Sequence, residues 1–374
     1  MNKSEFNPIR FTDKNKSQSQ FYTVLKGRVN SYFKENNLSK KHDNSMVIKT
    51  IILLSAYILP FIGILIFNPS FGLALFLWII MGLALAGSGM SIMHDANHGA
   101  YSSNQKVNYW LGHTLNLMGG SVFNWKLQHN VMHHTYTNIV HYDDDVEDKL
   151  ILKFNPHTKV RWFHKLQIVY AFFFYGILTL YWAALKDFVQ FNKYTKQGVN
   201  ANSSTQNRVT LFRIFLIKVF YFGIFFGVPV FVSGIPFLQI LLGFLLMQFI
   251  AGLILTTVFQ LAHTVEGTTH PVPNENYTIE NNWAIHQLNT TVNFSRSNKF
   301  VSWYVGGLNY QVEHHLFPNI CHVHYPQISK IVKSSAEEFG IPYLENPTFM
   351  QALKSHLTMV IKFGKLPSFN DAIA

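Results

Sequence analysis

Residues 50–93 read TIILLSAYILPFIGILIFNPSFGLALFLWIIMGLALAGSGMSIM, and residues 94–98 that follow read HDANH. No side chain from Thr50 to Met93 is charged, a run about twice the roughly 20 residues that one bilayer crossing needs. Asn68-Pro69-Ser70 carries turn chemistry and divides the run into spans over 50–67 and 71–93. At 1.5 Å per residue the second span is about 34 Å long, so it delivers His94 to the membrane edge. The pattern recurs downstream. Val219 to Ala262 is again charge-free and breaks at Ser233-Gly234-Ile235-Pro236, which predicts spans over about 211–232 and 237–259, with His263 just past the last. Four crossings in two helical hairpins result.

Composition agrees. A chain of 374 residues would suggest two or three soluble domains by length alone, but 48% of it is hydrophobic and only 13% is charged. Neither hairpin tip carries Lys or Arg, whereas the first 49 residues hold ten, and Arg208, Arg213 and Lys218 sit near the entry to the third span. The positive-inside bias therefore puts the N-terminus, the central region and the C-terminus in the cytoplasm. The net charge of +11 fits orientation and attraction to anionic head groups. The basic residues are dispersed and no recognition motif accompanies them, so a nucleic-acid partner is not expected. The N-terminal region lacks the apolar core of a cleavable signal. The lone Cys321 rules out an intrachain disulfide and any all-cysteine iron–sulfur cluster.

A further apolar stretch, 166–185, is long enough to span, but if it crossed, His134 and His263 would face opposite sides of the membrane. Its Tyr170, Tyr175, Tyr181 and Trp182 suit the head-group level, so a helix lying at the cytoplasmic interface is expected. The segment 107–123, interrupted by Asn108, His113, Asn116 and Gly119-Gly120, reads as a similar half-buried piece. Trp125-Lys126 and Arg161-Trp162 are equally compatible with holding a phosphate head group and with simple interfacial anchoring.

The chain has 18 histidines, and their placement is the chemical signal. His94 and His98 are four apart, on one helix face. His129 and His133 repeat that spacing with His134 beside them, and Gln311 precedes the pair His314-His315 by three and four residues. Span parity puts these three clusters and His263 on one side of the membrane. Eight imidazoles exceed the needs of one zinc and suit two metals; imidazole ligation by itself fits Fe, Zn, Cu and Ni. Gln311 stands where a helix-spaced further ligand would stand. Asp95, Glu313 and the run Asp143-Asp144-Asp145-Val146-Glu147-Asp148 are candidates to accept the outer N–H of ligating rings, although an acidic run also reads as a solvated loop. His42, His157, His164 and His356 are isolated and read as solvated or hydrogen-bonded side chains. His113, His141, His270, His286, His322 and His324 lie near the clusters without paired spacing.

In order and spacing these clusters resemble the three histidine boxes of the membrane fatty-acid desaturase family: His94-Asp-Ala-Asn-His98, His129-Asn-Val-Met-His133-His134 and Gln311-Val-Glu-His314-His315. The resemblance covers roughly residues 50–330. It implies an all-α integral membrane protein whose four spans carry a cytoplasmic helical cap with a histidine-rich dimetal site. It also implies two irons held by His94, His98, His129, His133, His134, His263, His314 and His315 with Gln311 as a further candidate, O2 as co-substrate, and no catalytic side chain beyond the metal ligands. A leading Gln in the third box is similar to the front-end branch, which inserts a double bond between an existing one and the carboxyl end, and to related sphingolipid desaturases. Many eukaryotic front-end members carry a fused cytochrome b5 domain; no His-Pro-Gly-Gly motif occurs here, so a separate ferredoxin or cytochrome b5-like donor is expected. The substrate implied is an acyl-lipid or acyl-CoA chain held in an apolar channel between the spans.

An acyl or lipid hydroxylase on the same scaffold is the nearest rival, differing in the fate of the oxidised carbon. An intramembrane zinc protease would use HDANH as an HExxH variant, but it would leave the other clusters idle. A metal transporter would place polar ligands within the spans. The expected division is a polar cytoplasmic tail over 1–45, the desaturase domain over 46–340 and a cytoplasmic C-terminal tail over 341–374.

Overall fold

The computed structural model describes residues 6–13, 18–147 and 151–366; Asp148 of the acidic run falls outside them. The described chain is mostly helical, and five helices are long and apolar enough to cross a membrane: Asn44–Phe67, Phe71–Asn97, Trp162–Gln197, Ser204–Val232 and Phe237–His263. Four contain the four expected spans, each extended at the end where the sequence turns polar. An internal hydrogen-bond ladder continues through Lys or His once begun, so helix ends outrun the charge-free window. The fifth, Trp162–Gln197, encloses the stretch read as interfacial.

The chain divides into two units. The first comprises Asp43–Leu127 and Phe172–Thr257, together with Phe6. In it Asn44–Phe67 packs along Phe71–Asn97. The first helix is capped by Asp43, which accepts the N–H of Met46, and closed by Asn68 in a left-handed conformation. Tyr57, Phe61, Trp78, Tyr221, Phe225 and Phe244 build an aromatic core, with ring centroids of Phe61 and Phe225, and of Tyr221 and Phe225, 4.9 Å apart. Outward-facing Phe67, Phe231 and Val232 are more than three-quarters exposed, as expected of surface that lies against lipid.

Tyr175 and Trp182, two of the four aromatics read as head-group anchors, are engaged inside this unit. Tyr175 is buried and its carbonyl accepts from Thr256 Oγ1, while Trp182 Nε1 donates to Asp187 Oδ1 at 3.3 Å. Close backbone approach is what permits this: a Cβ on Gly252 would run into the carbonyl oxygen of Gly176. Gly252→Val is therefore expected to cost about 1–3 kcal/mol by overpacking, read as a lowered thermal midpoint in detergent; an unchanged midpoint would show that the two helices can simply part.

The second unit comprises the described residues of Asn7–His42, Gln128–Ala171 and Val258–Ala374. The N-terminal segment, read from sequence as a polar tail, contributes helix Phe21–Glu35, whose buried Phe21, Leu25, Val29 and Phe33 recur every four residues and form one apolar stripe. That stripe packs on Tyr325–Glu338. Two short parallel pairings tie distant segments, Arg10–Phe11 to Thr278–Ile279 and Asn293–Phe294 to Glu345–Asn346. The C-terminal helix Phe349–Lys365 is fixed by His356 Nδ1, which donates to Thr264 O at 2.8 Å.

Candidate metal centre

Two of the three histidine clusters sit on helices that are not plain α. His94 follows a π-helical segment, Gly89–Met93, and His129 and His133 lie in another, Lys126–His133, after which the α form resumes at His134. An i→i+5 ladder widens the turn, so positions four and five residues on both return to the starting side. That places His133 and His134 together beside His129, with ring centroids 5.2 and 4.8 Å away. Spacing alone places only His129 and His133 on one α face.

In the second unit His129, His133, His134, His263, His314 and His315 form a continuous imidazole cluster. One ligand nitrogen from each of His133, His263 and His315 lies within 4.8 Å of the others, and the same holds for His134, His314 and His315. Two nitrogens bound to one ion at about 2.1 Å can be at most about 4.2 Å apart, so both triads are near ligating geometry. His314 and His315 are successive residues on the short buried helix Gln311–Leu316, diverge by about 100°, and fan towards different neighbours. His134 Nε2 lies 3.3 Å from His129 Nε2. Gln311 is buried at the start of that helix and its side chain approaches the His263 ring without forming a regular hydrogen bond through Oε1.

The outer ring nitrogens are anchored. His133 Nδ1 donates to Asp143 Oδ2 at 3.0 Å, with Asp145 Oδ2 at 3.9 Å. Burial disfavours the His133 imidazolium, but the Asp143 charge and hydrogen bond outweigh it and hold the ring's pKa above its ordinary value. Asp143 is itself satisfied by the N–H groups of Asn138 and Asp145, at 2.9 and 3.0 Å. His315 Nδ1 lies 2.8 Å from Gln287 Oε1, His263 Nδ1 3.3 Å from Thr290 O, and His314 Nδ1 3.3 Å from the Tyr325 hydroxyl. The inner nitrogens of His133 and His263 form no hydrogen bond among the described residues. Buried polar atoms are costly to leave so, and a ring whose outer N–H is anchored while its inner nitrogen faces other imidazoles is the arrangement of a metal ligand. The residues present fit a bound metal.

Asp143 was one of several candidates in the acidic run; the structure singles it out. Among the described residues Glu313 is bonded to Asn293 and Tyr343 rather than to a histidine. Its carboxylate accepts from Asn293 Nδ2 and the Tyr343 hydroxyl, each at 2.8 Å, and burial pushes it up to about 7 against those hydrogen bonds. Asn293 Oδ1 also takes the Val312 N–H at 3.0 Å, so this network anchors the start of the third box. Asn138, in a left-handed conformation, donates from Nδ2 to the carbonyls of His263 and Thr269 at 3.1 and 3.2 Å, joining the second cluster to His263. Gln287, Asn138, Asn293 and Tyr343 are lone polar residues that carry no sequence pattern.

His94 and His98 belong to the first unit, where their rings pair at 4.8 Å and both stand edge-on to Trp125; His94 Nδ1 is 3.5 Å from Asp95 Oδ1. The isolated histidines are hydrogen-bonded, as expected: His157 Nε2 to His270 O at 2.6 Å and His164 Nδ1 to the Arg161 N–H at 3.0 Å. Among the intermediate ones, His286 Nε2 donates to Thr137 O, His113 Nδ1 to Tyr109 O and His324 Nε2 to Lys41 O, whereas His141 is largely exposed, 3.7 Å from Glu147.

A mostly helical chain with five apolar helices and a buried cluster of anchored imidazoles defines a membrane-associated, histidine-ligated metalloprotein. Residues 28–347 match the family model described as fatty acid desaturase, and this chain belongs to that family. It is 35% identical to an sn-1 linoleoyl-lipid 6-desaturase of Arthrospira platensis, covering 93% of both chains. It is likewise 35% identical to the protein of that description in Synechocystis sp., covering 96% of this chain and 98% of that one. An acyl-lipid (8-3)-desaturase of Physcomitrium patens is 36% identical over 92% of this chain and 72% of its own. The protein is an oxidoreductase of lipid metabolism.

Proposed function

We propose that this chain is a front-end acyl-lipid desaturase, inserting a cis double bond on the carboxyl side of an existing one. The observation that carries the reading is the buried group His133, His263 and His315, outer nitrogens anchored and inner nitrogens turned to one another. The relatives' names supply the regiochemical direction, a 6-desaturase of a linoleoyl lipid and an (8-3)-desaturase of an acyl lipid. The proposed ligand set is the full one: His129, His133, His134, His263, His314 and His315, joined by His94 and His98, with Gln311 beside His263. For His94 and His98 the support is the box motif and their pairing. When bound, two irons would supply the reduction of O2 to two waters, with two hydrogens from adjacent methylenes, two electrons from a separate ferredoxin or cytochrome b5-like donor and two protons from solvent. The chain's own part is to hold ring orientation through Asp143 and the other anchors, and to keep an apolar chain dry and aligned.

The topology we propose has crossings within Asn44–Phe67, Phe71–Asn97, Ser204–Val232 and Phe237–His263, with Trp162–Gln197 along the cytoplasmic interface and both termini cytoplasmic. The desaturase domain covers 46–340, flanked by cytoplasmic segments over 1–45 and 341–374. The basic N-terminal region supports this orientation. Expression in a host of known lipid content, followed by gas chromatography and mass spectrometry, tests the activity. We expect an O2-dependent new double bond between an existing one and the carboxyl group, and about two irons per purified chain. A hydroxylated chain without an alkene would assign the hydroxylase outcome instead, and one zinc per chain would overturn the diiron centre.

A further inference from the structure

Gln287 is fully buried on helix Trp283–Thr290 and lies against two of the histidine clusters at once. Its Nε2 donates to the backbone carbonyl of His134 at 3.2 Å. Its Oε1 lies 2.8 Å from His315 Nδ1 and 2.8 Å from Thr137 Oγ1, and that hydroxyl also reaches His133 O at 2.7 Å. A backbone carbonyl can only accept, so the NH2 end of the amide must face His134 and the oxygen must face His315. An amide oxygen can also only accept. The proton on His315 is therefore on Nδ1, and Nε2 is the nitrogen with the lone pair available to a metal.

We propose that Gln287 is a positioning residue of the metal centre, fixing the tautomer and ring plane of His315 while tying the third histidine cluster to the backbone of the second. This rests on the iron-centre reading above and adds to it an asymmetry between ligands. His133 is backed by a carboxylate, Asp143, and His315 by a neutral amide. A carboxylate behind an imidazole makes the ring the stronger electron donor, so the amide keeps His315 the weaker donor of the two, and a glutamate at this position would remove that difference.

The test uses the full-length protein purified in detergent and loaded anaerobically with ferrous iron. Gln287→Met keeps the side chain's length and removes the amide acceptor, leaving His315 Nδ1 only the Thr137 hydroxyl at 3.2 Å. We expect it to bind iron about 10- to 100-fold more weakly and to show an altered Mössbauer signal, with gel-filtration behaviour and helix content as in wild type. Gln287→Glu keeps an acceptor toward His315 at the same reach but gives up the N–H donated to the His134 carbonyl, so it should retain more iron than Gln287→Met, and its centre should reduce at a lower potential than wild type. Wild-type iron affinity and spectrum in Gln287→Met would overturn the proposal, and so would equal losses in both variants. If Gln287→Met does not fold, an unshifted potential in Gln287→Glu overturns it. Wild-type protein that takes up no iron would instead overturn the iron reading itself.

Discussion

His133→Ala is expected to abolish desaturation, lowering product by about a thousandfold or more, equivalent to at least about 4 kcal/mol of lost stabilisation. The size follows from how much meets at this ring. His133 lies 4.8 Å, centroid to centroid, from both His263 and His315, stacks on His129, packs on Phe259, and donates from Nδ1 to Asp143 at 3.0 Å. Removing it takes one ring from the triad and leaves Asp143 as a buried carboxylate without its imidazole. Asp143→Asn should cost less, about 10- to 100-fold in metal affinity, because the ring remains and only its anchor weakens. His356→Ala is the contrasting case: that ring is buried but bonded to Thr264 O, away from the cluster, so product formed per folded molecule should hold. Product lipids by gas chromatography and iron per chain, measured on all three, give the ranking; undiminished product in His133→Ala would remove the ring from the metal centre.

That ranking also marks where sequence reasoning stops. The charge-free runs announced the long apolar helices because hydropathy is local and additive along the chain. The histidine boxes were legible because spacing on a helix is local too. The π segments were not, since the extra residue per turn that brings His134 beside His129 leaves no compositional mark. Gln287 was invisible for another reason: its partner carbonyl on His134 is 153 residues away, and a single buried glutamine carries no pattern. Lys218 was read as one of the basic residues orienting the third span, by composition alone. Its contacts give it a further role that composition does not show.

Lys218 lies within Ser204–Val232 and is buried, with its Nζ donating to Asp187 Oδ2 at 2.6 Å and to the carbonyls of Trp182, at 2.8 Å, and Gly119. Asp187, 0% exposed, also accepts the Ser121 N–H at 3.0 Å and the Trp182 indole N–H. The pair thus joins three segments of the first unit through a network with every charge met. Lys218→Met is expected to destabilise by about 3–5 kcal/mol, because it strands a buried carboxylate rather than because the pair is itself strongly stabilising. The same logic predicts partial rescue. Adding Asp187→Asn removes the stranded charge while its amide oxygen still takes the Ser121 N–H, so the double variant should be more stable than Lys218→Met alone, yet below wild type because the carbonyls of Gly119 and Trp182 have lost their donor. Thermal midpoints of the three proteins in the same detergent decide it. A midpoint in Lys218→Met equal to wild type, or a double variant no better than the single, would mean that the buried charge is not what this network is built to satisfy.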